Sequence, residues 1–182
     1  MTRGRSGDPQ TRAVALIGAP GSGKSTIGRQ LAKRLGQPFV DVDAAIEKDQ
    51  QTSIADIFVT HGEPHFRQLE ETATLASLAS GGVVALGGGA IMNDDIRAAL
   101  AGHDVVWLEC SISTATKRVG MDTARPLLLG NVRGQLIKLL NARTPLYRAA
   151  ATITVNTDDK QPAAVIREIL AALGRGESGE DA

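Results

Sequence analysis

The chemistry in this chain concentrates first in Gly18-Ala-Pro-Gly-Ser-Gly-Lys-Ser-Thr26. The run fits the pattern G-x-x-x-x-G-K-[S/T], with Gly18, Gly23, Lys24 and Ser25 at its fixed places. Glycines let a backbone curl around an anion so that several N–H groups point inward. A helix beginning there adds partial positive charge at the same spot. In such a loop Lys24 reaches the β- and γ-phosphates and the Ser25 hydroxyl ligates magnesium, while Gly21, Ser22, Gly23 and Thr26 complete the cradle. The expected ligand is a nucleoside triphosphate with Mg²⁺. The bland alternative is a glycine-rich turn that binds nothing, and the flanks argue against it. Ala13 to Ile17 is a short apolar run of buried-strand type. Ile27, Leu31 and Leu35 recur at helical spacing until Gly36.

Three other groups of residues have chemical potential. Asp41 and Asp43 form an Asp-x-Asp pair at the end of a short apolar stretch. One carboxylate there can support a hard cation, and the other can accept a proton from a substrate hydroxyl. Either could instead cap the helix that starts near Ala44, a duty best suited to Asp43. Gly87-Gly-Gly89 is either a flexible turn or a side-chain-free wall whose backbone N–H groups touch a small ligand. Arg118, Arg125, Arg133 and Arg143 gather around residues 121–133. A solvated basic face explains most such clusters, yet an arginine on a mobile loop is how many phosphoryl transferases neutralise transition-state charge. Arg67 sits among Glu70 and Glu71, where it reads as a surface ion pair. His61 and His65 are four apart, but Pro64 and a turn at Gly62 should spoil a metal geometry, which leaves them as surface residues.

The elements that must position these groups alternate between apolar runs and helical patterns, the signature of an α/β domain with a parallel sheet. Strands are expected at 13–17, 38–41, 83–86, 104–108 and 152–155. Helices are expected at 24–35, 53–58, 63–79, 94–100, 113–119 and 162–173. A further helix should start at 136 and reach about 147, interrupted or bent near Pro145. With 182 residues the chain suits one domain over 13–173. Its termini, 1–12 and 174–182, read as disordered tails without the apolar stretch of a secretory signal. Lys plus Arg and Asp plus Glu both number 20, so no net charge draws the chain to nucleic acid or membrane. The single cysteine, Cys110, allows no internal disulfide and suits a reducing cytoplasm. No apolar run approaches the ~20 residues of a membrane span.

Taken in order, GAPGSGKST, FVDVDAAIE, SIADIF-x-x-x-GE-x-x-FR-x-x-E, ALGGGA, ARPLL and R-x-PLYR resemble the motif set of shikimate kinases over roughly residues 13–170. The resemblance implies a P-loop, nucleoside monophosphate kinase-like fold with a five-stranded parallel sheet. It implies a substrate-binding region at about 43–80 and a lid at about 120–134. The implied reaction is ATP-dependent phosphorylation of the shikimate 3-hydroxyl, a step toward chorismate and the aromatic amino acids. By motif, Lys24 and Ser25 hold phosphates and Mg²⁺, Asp41 supports the metal, and Asp43 binds the shikimate hydroxyls and serves as base. Arg67 and Arg143 clamp the carboxylate, with Gly87, Gly88 and Gly89 against the ring hydroxyls. Arg125 reaches the ATP phosphates from the lid and Arg118 lies alongside the adenine. Lys160 stands where the family often places an arginine near the adenine, which weakens stacking there. Arg133 receives no role. The expected partners are ATP and shikimate, with no nucleic acid and no membrane, and the expected state is a monomer.

The nearest rival is another small-molecule kinase of the same fold, acting on gluconate or a nucleoside monophosphate. The triple glycine and two carboxylate-binding arginines favour an anionic polyol. A nucleotide-dependent switch would carry N-K-x-D and D-x-x-G motifs, and neither is present. A non-catalytic relative would usually lose Lys24, Asp43 or an anchoring arginine, and all remain.

Overall fold

The computed structural model describes residues 12–120 and 131–175. Five parallel strands form one sheet in the order β2-β3-β1-β4-β5. They are β1 Val14–Ile17, β2 Phe39–Asp41, β3 Val83–Ala85, β4 Asp104–Glu109 and β5 Ile153–Asn156. The helices are α1 Lys24–Leu35, α2 Val42–Gln50, α3 Ile54–His61, α4 Glu63–Ser80, α5 Asp94–Leu100, α6 Ile112–Gly120, α7 Val132–Ala150 and α8 Pro162–Ala172. A short 3-10 turn covers Ala90–Met92.

Strand periodicity divides the core between the two faces of the sheet. Ala15 and Ile17 of β1, with Val105 and Trp107 of β4, join Val42, Phe66, Leu78, Ile96 and Tyr147 on one face. Val14 and Leu16, with Val106 and Leu108, join Ile27, Leu31, Val165 and Ile169 of α1 and α8 on the other. Both faces of β1 are therefore dry, which is why its four residues are continuously apolar. Parallel strands with covering helices collect every βα loop at the C-terminal edge, where ligands bind in such sheets. The phosphate loop follows β1, Asp41 ends β2, the triple glycine follows β3, and Thr157 follows β5.

Helix α1 spans the residues its pattern predicts, and most other boundaries move by one to three positions. Two differ more. Helix α7 begins at Val132 rather than 136, because Asn131 caps it by accepting from the Gly134 N–H at 2.9 Å. It also runs on to Ala150 with Pro145 inside it. The lid expected at about 120–134 thus ends within α7, and its centre, including Arg125, lies outside the described residues. So do most of the two expected tails. Among the described residues, no helix is long and apolar enough to cross a membrane.

At the opposite edge of the sheet, His103 accepts a hydrogen bond from the Ala13 N–H through Nδ1 at 3.1 Å, which requires a neutral ring. Burial lowers its pKa, Arg12 lowers it further, and Asp104 only partly compensates. A base whose folded pKa is depressed takes up its proton more readily when unfolded. The stability it contributes is present above the ordinary imidazole range near 6.5. That stability is lost as pH falls through the lowered value. Wild type should therefore lose more Tm between pH 8 and pH 5 than His103→Gln, which keeps an acceptor but does not titrate. Parallel Tm–pH curves would refute this.

Candidate active site

Gly23 is the N-cap of α1 with φ 94°, a left-handed conformation that glycine adopts without penalty. This turn aims the first amides of α1 at the loop's concavity and brings Lys24 and Ser25 to its rim. The Lys24 ammonium folds over the loop, donating to the Gly18 carbonyl at 2.8 Å and the Ala19 carbonyl at 3.0 Å. Ser22 is fully buried in the loop, with its Oγ 3.5 Å from the Lys24 ammonium. The Ser25 hydroxyl donates to Asp41 Oδ2.

Asp41 is also the N-cap of α2, accepting from the Ala44 N–H at 3.3 Å. Capping therefore falls to Asp41 and not to Asp43, which occupies the first turn of α2. A cavity of about 440 Å³ joins Gly21, Gly23, Lys24, Ser25 and Thr26 to Asp41, Asp43, Gly88 and Arg118. A hydroxyl beside a carboxylate, both open to this cavity, is an oxygen set suited to a hard cation that takes its other ligands from phosphate and water. The site therefore fits Mg²⁺.

The triple glycine is a crossroads rather than a flexible turn. A methyl group on Gly87 would lie 2.5 Å from Glu70 Oε1 and 2.8 Å from Asp43 Oδ1. On Gly89 it would collide with the Arg67 guanidinium, 2.7 Å from one terminal nitrogen. On Gly88 it would lie 3.1 Å from Pro20 of the phosphate loop and 3.4 Å from Arg143. Of the three, only Gly88 lines the phosphate cavity. Gly87 and Gly89 are buried and supply space for their charged neighbours, whereas sequence suggested backbone groups touching the ligand.

Arg67 and Arg143 line a second cavity of about 520 Å³, with Glu63, Lys138 and Leu139. Arg67 is not a simple surface pair. Its guanidinium donates at 2.6 Å to Glu70, which is only 2% exposed, and at 3.2 Å to the outer Glu63. Burial opposes the Arg67 charge, but hydrogen bonds and charge from Glu70 and Glu63 outweigh it and raise the pKa. Glu70, in sequence an ordinary neighbour of Arg67 on a surface helix, is instead a buried partner. Its position three residues after Arg67 was visible, but its burial depends on α4 packing beneath the glycines.

Arg118 bridges two loops, donating to the Gly21 carbonyl at 3.2 Å and the Thr157 carbonyl at 3.1 Å. Lys160 does not join the phosphate cavity's lining. Its ammonium is ion-paired to Glu168 of α8 at 2.8 Å. Arg133 is exposed in the first turn of α7. The rings of His61 and His65 stand 4.8 Å apart, so Gly62 and Pro64 do not separate them. Among the described residues, no three His, Cys, Asp or Glu side chains gather as a metal site. Cys110 is half-buried and burial raises its pKa, the behaviour of a packing residue.

Sheet order, phosphate loop and the paired cavities define a P-loop phosphotransferase of nucleoside monophosphate kinase-like fold. The family model described as shikimate kinase matches residues 20–174. A shikimate kinase of Thermobifida fusca is 53% identical over 165 residues, spanning 88% of this chain and 96% of that protein. The solved shikimate kinase of Acinetobacter baumannii, in complex with shikimate, superposes with TM-score 0.82 at 36% identity, covering 90% of this chain and 94% of that one. The chain belongs to the shikimate kinase family. A gluconokinase of Sinorhizobium meliloti reaches TM-score 0.56 at 20% identity, covering 92% of this chain and 94% of that one, a likeness of fold alone.

Proposed function

We propose that this chain transfers the γ-phosphoryl group of ATP to the 3-hydroxyl of shikimate, releasing ADP. The observation that carries the assignment is the juxtaposition at Gly88. This residue lines the phosphate cavity while its Cα faces Arg143, one of two arginines in the neighbouring cavity. An acceptor whose carboxylate lies between Arg67 and Arg143 can turn its hydroxyls toward Asp43 and the phosphate loop.

The roles follow from the chemistry of each group. Backbone amides of Gly21 to Thr26 and the Lys24 ammonium hold the phosphates, and Arg118 borders the adenine side. Arg125 is assigned to the phosphates by its motif alone. Ser25 and Asp41 would hold Mg²⁺, which supplies charge neutralisation between the phosphates when bound. Asp43 accepts the hydrogen bond, and then the proton, of the attacking hydroxyl as the new O–P bond forms and the β,γ-bridge breaks.

The test is an ADP-release assay with shikimate, gluconate and AMP offered side by side. Shikimate should support turnover while the other two stay at background. Gluconate turnover equal to that of shikimate would replace the proposal with its rival.

A further inference from the structure

Tyr147 lies on α7 one turn beyond Arg143, so the two residues share a helix face. Its ring is 1% exposed and stacks on Trp107 of β4, with centroids 6.0 Å apart. Packing of that kind needs no hydroxyl, and phenylalanine would satisfy it. The hydroxyl nevertheless leaves the apolar cluster and donates to the Gly88 carbonyl at 2.7 Å. A phenolic oxygen has one proton to give and lone pairs to spare. Burial pushes this phenol up to about 12, and the charge and hydrogen bonding of Arg143 pull against that rise. That oxygen therefore lies at the glycine wall, on the helix face that Tyr147 shares with Arg143.

We infer that the Tyr147 hydroxyl is a positioning group of the acceptor site, holding the Gly88 peptide and the Arg143 guanidinium in fixed relation. The inference rests on the assignment of Arg143 to the shikimate carboxylate proposed above. Gly88 and Arg143 come from segments 55 positions apart in the sequence, and their mutual geometry sets where the ring can lie between its carboxylate and hydroxyl contacts. The Tyr147 hydroxyl is bonded to the Gly88 carbonyl and sits one helical turn from Arg143.

Tyr147→Phe keeps the stacked ring and removes the oxygen. Loss of one such hydrogen bond should raise shikimate KM roughly two- to tenfold. ATP KM should stay at the wild-type value, because Lys24 and the loop amides are untouched. In an Arg143→Ala background the same change should add little, since the group it positions is gone. Equal shikimate KM in wild type and Tyr147→Phe would overturn the inference, as would equal weakening of both substrates. A full, additive penalty in the Arg143→Ala background would also overturn it. Wild type inactive on shikimate would instead sink the parent assignment, so the two failures are distinct.

A second measurement guards against a variant that fails to fold. Tyr147 is the sole tyrosine of the chain, so 3-fluorotyrosine labels this ring alone. The single fluorine resonance should move on adding shikimate and move less on adding ADP. A signal indifferent to shikimate overturns the inference.

Discussion

Lys24→Ala should leave a folded protein that transfers almost no phosphate. The half-buried ammonium donates to the Gly18 and Ala19 carbonyls at the edge of the phosphate cavity, where water can take its place when the side chain is removed. The apolar faces that hold α1 to the sheet, Ile27 and Leu31, are untouched. The melting temperature should therefore change little. The rate should fall steeply, because a preorganised donor aimed at developing charge is stronger in the transition state than in the ground state. Loss of one such donor lowers kcat about 10²–10³-fold, and a full positive charge should lie at the upper end or beyond. Single-turnover rates, with circular dichroism to verify folding, check this. Wild-type turnover in a folded variant would exclude phosphoryl transfer through this loop.

The second large effect is expected at Arg67. Its planar fork can grip a carboxylate with two parallel hydrogen bonds, whereas lysine offers a point charge. Arg67→Lys should reduce kcat/KM for shikimate by roughly 30- to several-thousand-fold, the equivalent of about 2–5 kcal/mol for a desolvated charge pair. ATP affinity should hold, since Arg67 lies outside the phosphate cavity. Arg67→Ala carries a second penalty, because it strips the partner from Glu70 in its buried position. Breaking a buried pair costs about 3–5 kcal/mol of stability, so alanine should lower Tm far more than lysine does. Shikimate affinity unchanged in Arg67→Lys would show that the arginine serves the protein and not the substrate.

The contrast between these two residues marks what a sequence can disclose. Lys24 was legible because its chemistry depends on neighbours within one loop, and the spacing of Gly18, Gly23 and Ser25 states the geometry. The sheet was legible for a similar reason, as β1 and β4 are apolar on both faces over consecutive residues. Arg67 was named by its motif, yet Glu70 looked like an ordinary helix-surface partner. Its burial arises where α4 meets the turn after β3, a meeting of segments separated in sequence. Tyr147 was hidden in the same way, since its partner is a carbonyl 59 positions earlier. The start of α7 was visible in principle. Asn131 is a favourable N-cap, but the apolar period is clear only from Leu136 onward.

The triple glycine also bears on any attempt to redesign the acceptor. Its wall is shaped by atoms that are absent, and an added methyl would intrude on Glu70, Asp43 or Arg67. A library that randomised 87–89 would mostly sample proteins whose charged groups have been displaced, whatever acceptor was intended. The exposed end of the second cavity, at Lys138 and Leu139 of α7, is lined by side chains instead. New acceptors are better sought by varying that end and leaving the glycine wall as the fixed datum.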